Sequence, residues 1–232
     1  MKHKILPYAA TLVASLFFAT ATLAGPPLLC HSFDIGNAKS LPWSSAGWNI
    51  SPADSSYVTK NLAADTLSIL NSDPTVIVHM ETLRRAALLS QNDPNAARQL
   101  LLKLIARSDA ASNSTRAGAL ALFDRGYFAA TLDQLHWIKK DYPNPAQGVD
   151  AYALIKKSLA LRPDDGQMNF AAALVTLDDH AADQQGHAKM ALVGAQSDPL
   201  LARNLATHFM GPQTETMSQM INRNSTTKVA RQ

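Results

Sequence analysis

The chain has 232 residues, of which 47% are hydrophobic, 6% aromatic and one is cysteine. It carries enough apolar side chain for one large domain or two small ones, and it excludes an internal disulfide framework. The formal charge of +3 sits at the ends: Lys2 and Lys4 open the chain, Arg223, Lys228 and Arg231 stand against Glu215 after Gly211, and 16 basic face 17 acidic residues between. With no basic stripe interleaved with aromatics, that balance argues against nucleic acid as a partner. Alanine and leucine dominate, which favours close-packed helices over a sheet.

Residues 1–24 read as a secretory leader. Lys2 and Lys4 form a positive start, an apolar run extends from about Tyr8 to Ala19, and Thr22-Leu23-Ala24 supplies small residues where a signal peptidase reads. The expected cut follows Ala24. The apolar run is shorter than the ~20 residues a membrane-spanning helix needs, and no other segment is longer, so no stable membrane span is expected after cleavage. Cys30 does not read as a lipidation site, because Leu29 stands where a small residue is required.

Residues 25–53 carry Pro26, Pro27, Pro42, Pro52, Gly36 and Gly47 without a sustained period, and read as an extended or looped arm. From residue 54 to 210 the pattern is helical. Asp54 or Ser55 is placed to cap a first helix whose stripe is Val58, Leu62 and Leu70. Asp-Pro pairs at 73–74, 93–94 and 198–199 then mark three helix starts, the aspartate accepting free N–H groups and the proline filling the first turn. Between them lie further helical stretches near 114–142, 144–162, 164–179 and 184–196. Short turns between some eight helices of similar length predict antiparallel neighbours, and so an all-α fold of stacked helix pairs. The segment 211–232 is polar and is expected to be a disordered tail.

Counting back from Pro163, residues Ser158, Ile155, Ala151 and Tyr142 fall at small, large, small and aromatic positions, and Pro199 follows 36 residues later. In this interval the chain resembles a degenerate tetratricopeptide repeat. It departs from that pattern at Lys139, Pro143 and Pro145. The resemblance implies an α-solenoid whose concave face takes peptides or partner proteins. The stretch "GPPLLCHSFDIGNAKSLPW", residues 25–43, also resembles the start of exported bacterial proteins, which implies export and no particular activity.

Cys30 and His31 are the first candidate site, since a thiolate beside an imidazole acts as a nucleophile or binds a soft metal. In extended chain, however, adjacent residues point to opposite faces. Leu28, Leu29 and Phe33 surround the cysteine with apolar partners, so packing is the expected role. Trp43 and Trp48 are read as anchors of the arm or as part of a binding surface. In "DDHAADQQGH", His180, Asp183 and His187 would share one face of a continuous helix and present a zinc-like ligand set. Ala181, Ala182 and Gly186 instead suggest a polar helix–helix turn. His79 with Glu81 does not match the metalloprotease spacing, which puts Glu directly after the first His. Neither Gly-x-Ser-x-Gly, a phosphate loop nor a dinucleotide fingerprint is present, so no enzyme class is indicated.

The sequence therefore predicts a periplasmic or extracellular all-α interaction module. Its partner would be an envelope protein or peptide, and no cofactor is implied. The rival is a metal- or haem-dependent periplasmic enzyme or carrier using Cys30 and His31, or His180 and His187. A purely structural envelope component is the third reading.

Overall fold

The computed structural model describes residues 27–43, 56–111, 115–177 and 181–208. The expected leader, residues 211–232, Trp48 and His180 lie outside them. Among the described residues there are eight α-helices and no strand: α1 Leu62–Ser72, α2 Val76–Leu89, α3 Pro94–Ala110, α4 Arg116–Ile138, α5 Ala151–Leu161, α6 Gly166–Val175, α7 Ala181–Gly194 and α8 Pro199–His208. The all-α expectation holds.

The Asp-Pro signals work where the aspartate itself is the cap. Asp93 accepts from Ala96 N with Pro94 in the first turn, and Asp198 accepts from Leu200 N and Leu201 N at 3.0 Å ahead of Pro199. At 73–74 the start is shifted. Asp73 accepts from Thr75 N instead, Thr75 is the N-cap, and Pro74 precedes the helix. The first helix also begins later than its stripe suggests. Thr59–Asn61 form one 3₁₀ turn, α1 starts at Leu62, and Val58 is extended and half exposed.

Helix pairs run antiparallel. Ser158 Oγ near the end of α5 donates to Ala119 O near the start of α4, at 2.7 Å, while Gly126 further along α4 faces Ala151 and Leu154. Along α3 and α4, Arg107 pairs with Asp124, and Lys139 reaches back to Gln91 O and Asn92. In α6 and α7, Gly166 meets Gly194, and Asn169 meets His187. Two glycines allow these approaches: a Cβ on Gly126 would lie 2.8 Å from Ala151 O, and one on Gly194 would lie 2.7 Å from Gly166 Cα.

Ala151, Ile155 and Ser158 lie on α5, as the tetratricopeptide resemblance implies. Tyr142 does not lie on a helix. It is buried in the 139–150 connection, where its carbonyl accepts from His136 Nδ1 at 2.6 Å, and α4 takes the place of the expected partner helix. Prolines at 143 and 145 account for the break, since each removes a helix donor.

At the centre is α2, with every residue but Arg85 buried. A helix covered on all sides is normally apolar all round, yet α2 carries His79, Glu81, Thr82 and Arg84 at 0% exposure. Those four side chains need partners inside the protein. Where those partners come from defines the site.

Candidate functional site

On one side of α2 the partners come from the neighbouring helices. His79 Nε2 lies 2.5 Å from Asp73 O and must donate to it, and Nδ1 lies 2.6 Å from Asp124 Oδ1. The other Asp124 oxygen takes the Arg107 guanidinium. Both ring nitrogens thus face acceptors, as an imidazolium requires. Burial opposes that charge, but the Asp124 carboxylate and the Asp73 carbonyl outweigh it and hold the His79 pKa above its ordinary value.

On the other side the partner is the arm. Its described part, 27–43, contributes Leu28, Leu29, Phe33 and Leu41, all nearly inaccessible, at roughly 1.5–3 kcal/mol each by apolar burial. Its backbone is satisfied by side chains, with no strand ladder. Phe33 N donates to Glu81 Oε2 at 2.9 Å, Leu28 N donates to Gln134 Oε1 at 2.9 Å, and Arg85 Nη1 donates to Leu41 O at 2.6 Å. Asp34 and Asn204 exchange two hydrogen bonds, and Arg203 Nε donates to the Asp34 carboxylate at 2.6 Å. The turn between is local: Gly36 sits at φ +59°, where a side chain is disfavoured, and its N–H returns to Asp34 Oδ1.

Three sequence candidates meet here. Arg84 Nε donates to His31 O at 2.9 Å, and the guanidinium lies 5.2 Å from the Trp43 ring centre. Its Nη1 and Nη2 are buried without hydrogen-bond partners, and Glu81 approaches Nε at 3.6 Å. Cys30 is half-buried, and burial raises its thiol pKa more than nearby Arg84 lowers it. A thiol kept protonated is a poor nucleophile. Burial, with Arg84 adding to it, holds the His31 pKa near 4. His208 is likewise near 4, chiefly by burial, and its ring lies 5.3 Å from His31 and stacks on Phe33 at 4.5 Å. Two neutral imidazoles, a protonated thiol and an aromatic ring packed round a buried cation form a structural seam. Arg84, which organises it, escaped sequence reasoning. The available signal was Glu81, Arg84 and Arg85 at spacings of three and four on a largely apolar helix.

From residue 181 onward the 178–187 stretch is helical where the sequence suggests a turn at Ala181, Ala182 and Gly186. Gly186 is internal to α7, and Asp183 and His187 share that helix one turn apart. His187 Nδ1 lies 2.9 Å from Asn169 Oδ1; the Asn169 amide nitrogen is already donating to Pro163 O and Asp165 O, so Nδ1 carries the proton. Nε2 lies 2.9 Å from Tyr152 Oη, which also engages the Asp183 carboxylate. Burial lowers the His187 pKa, Asp183 opposing and Lys156 adding. The neutral ring has both nitrogens engaged. Among the described residues no three His, Cys, Asp or Glu side chains converge to hold a metal.

The surface between α3, α4 and α5 is different in kind. A groove of about 550 Å³ is lined by Leu122, Leu154 and Leu161, with Ser108, Asp109, Arg125 and Lys157 around them. Arg125 is tied to Asp109 and Ser108, and Lys157 stands exposed. Among the described residues no helix is long and apolar enough to cross a membrane.

No family model matches the chain, and neither curated proteins nor solved structures yield a match. What the fold and site define is therefore a class: an all-helical body of antiparallel pairs, with its N-terminal arm folded in as part of the core.

Proposed function

We propose that this protein is an exported helical interaction module, of tetratricopeptide-like stacking, that takes a peptide segment of an envelope protein in the groove between α3, α4 and α5. The observation that supports this reading is the groove's composition: three leucines accessible to a partner, edged by Arg125 and Lys157 against the single carboxylate of Asp109. A segment with apolar side chains and an acidic residue or terminal carboxylate complements it. Helical stacks offer such surfaces commonly, and the step from fold to role is one of analogy.

The test is photo-cross-linking in the native envelope, with the reactive residue at position 157 in the groove and, as control, at Lys103 on the exposed face of α3. Position 157 should yield a discrete partner product that position 103 does not, and Lys157→Glu should weaken binding of that partner in the purified system. Identical products at the two positions would remove the groove from the reading.

A further inference from the structure

We infer that a second site, lined by other residues than the groove, binds a phosphate-type oxyanion. It is a cleft of about 420 Å³ where the N-termini of α2, α6 and α8 converge, and Arg116 and Arg162 both line it.

Arg162 is the built part. Its side chain is 7% exposed; Nη2 pairs with Asp165, while Nη1 is buried with no hydrogen-bond partner. A buried, unpartnered guanidinium N–H costs about 1–3 kcal/mol, more when charged, and calls for an acceptor. Arg116, the first residue of α4, is exposed and makes no ion pair or hydrogen bond among the described residues. Two guanidiniums in one cleft repel each other, and an anion between them relieves both. The Arg162 pKa is lowered by burial, with Arg116 adding to the effect and Asp165 opposing it.

The helix ends point the same way. The caps of α6 and α8 are already occupied: Asp165 accepts from Met168 N and pairs with Arg162, and Asp198 accepts from Leu200 N, Leu201 N and Gln167 Nε2. The N-terminus of α2 is not capped in that way. Thr75 makes no side-chain cap bond, and Gln167 Oε1 supplies an acceptor only to Ile77 N, at 3.0 Å. Asp73 takes the Thr75 N–H, and the 14-residue helix presents its positive end at Thr75 and Val76 to the cleft. The exposed Asp164 is the remaining carboxylate and sets a negative lip that disfavours large polyanions.

The experiment uses the full chain and inorganic phosphate, read by thermal unfolding and calorimetry at constant ionic strength, with chloride as reference. Phosphate should raise Tm saturably, as a ligand of the native state does. Arg116→Ala, at an exposed position that repels Arg162, should hold or slightly raise the ligand-free Tm and weaken phosphate binding by about tenfold, the effect of removing one charge-assisted contact. A parallel titration with a phosphomonoester distinguishes a phosphate carried on a larger molecule, which then binds tighter, from the free ion. Absence of a saturable shift, equal effects of phosphate and chloride, or unchanged affinity in Arg116→Ala would each overturn the inference. So would preferential binding of a dicarboxylate. None of these outcomes touches the groove between α3, α4 and α5.

Discussion

Replacing Asp124 with Asn keeps the shape of the residue at the heart of the fold and removes its charge. Asp124 is completely buried between His79 and Arg107, and breaking a buried pair from one side costs about 3–5 kcal/mol. Two features place Asp124→Asn at the lower end: Arg107 is partly exposed and can reach water, and His79 can shed its proton and accept from the new amide. A loss of about 3 kcal/mol corresponds to about 6–12 °C in Tm for a domain of this size. The pH dependence is the sharper signature. The folded pKa of His79 is raised, so the stability it contributes is fully present below the unfolded value of about 6.5 and is lost as pH rises through the folded value. Wild-type Tm should therefore fall on the alkaline side of about pH 6.5, while the variant curve stays flatter and the gap between them narrows. Thermal unfolding followed by far-UV circular dichroism across that range reads both effects. A variant with the wild-type pH slope would show that His79 is neutral, and the reasoning about its two acceptors would fail.

Two glycine replacements should move stability in opposite directions under the same assay. Gly126→Ala forces a methyl to within 2.9 Å of Leu154 Cβ and 2.8 Å of Ala151 O, and overpacking of about 1–3 kcal/mol exceeds the helix-propensity gain of about 1 kcal/mol. Gly186→Ala, mid-helix with nothing within 4 Å, should stabilise by up to about 1 kcal/mol. Stabilisation by the first or destabilisation by the second would contradict the packing described. Glu81→Ala removes the acceptor of Phe33 N–H and the counter-charge of Arg85. It should speed hydrogen exchange and proteolysis within 27–43 before the helices respond, at a cost of about 3–5 kcal/mol; unchanged protection of the arm would refute the clamp.

The helices were legible because their signals are local. Asp93-Pro94 and Asp198-Pro199 cap and start helices within four residues, so the sequence window contains the whole device. Asp73-Pro74 misled by two residues because Thr75, not Asp73, sits at the boundary. Gly186 misled because glycine disfavours a helix locally by about 1 kcal/mol, whereas α7 runs through it on a face that meets no neighbour. The arm reads in sequence as apolar packing held by Leu29, Phe33 and Trp43; the first two are buried, and Trp43 is half-buried against the core. Its clamp was not foreseen. Arg84 takes a carbonyl 53 positions away and Asn204 holds a residue 170 positions away, and no periodicity records a partner at that distance. Cys30 and His31 drew attention by chemistry, whereas the residue that sets their environment reads in sequence as an ordinary charged position.

The hold of Asn204 and Arg203 on Asp34 also fixes an order of assembly. Of the described segments, the one made first is completed last: α2 offers its side of the seam early, but the final two partners arrive only when α8 has been synthesised. Until then Leu28, Leu29 and Phe33 have an incomplete berth, and the growing chain exposes apolar surface along the arm. Closing so long a loop is entropically costly and slow. A chain cut short before Asn204 would therefore leave the arm unfastened, although arm and α8 are the most distant parts of the described sequence.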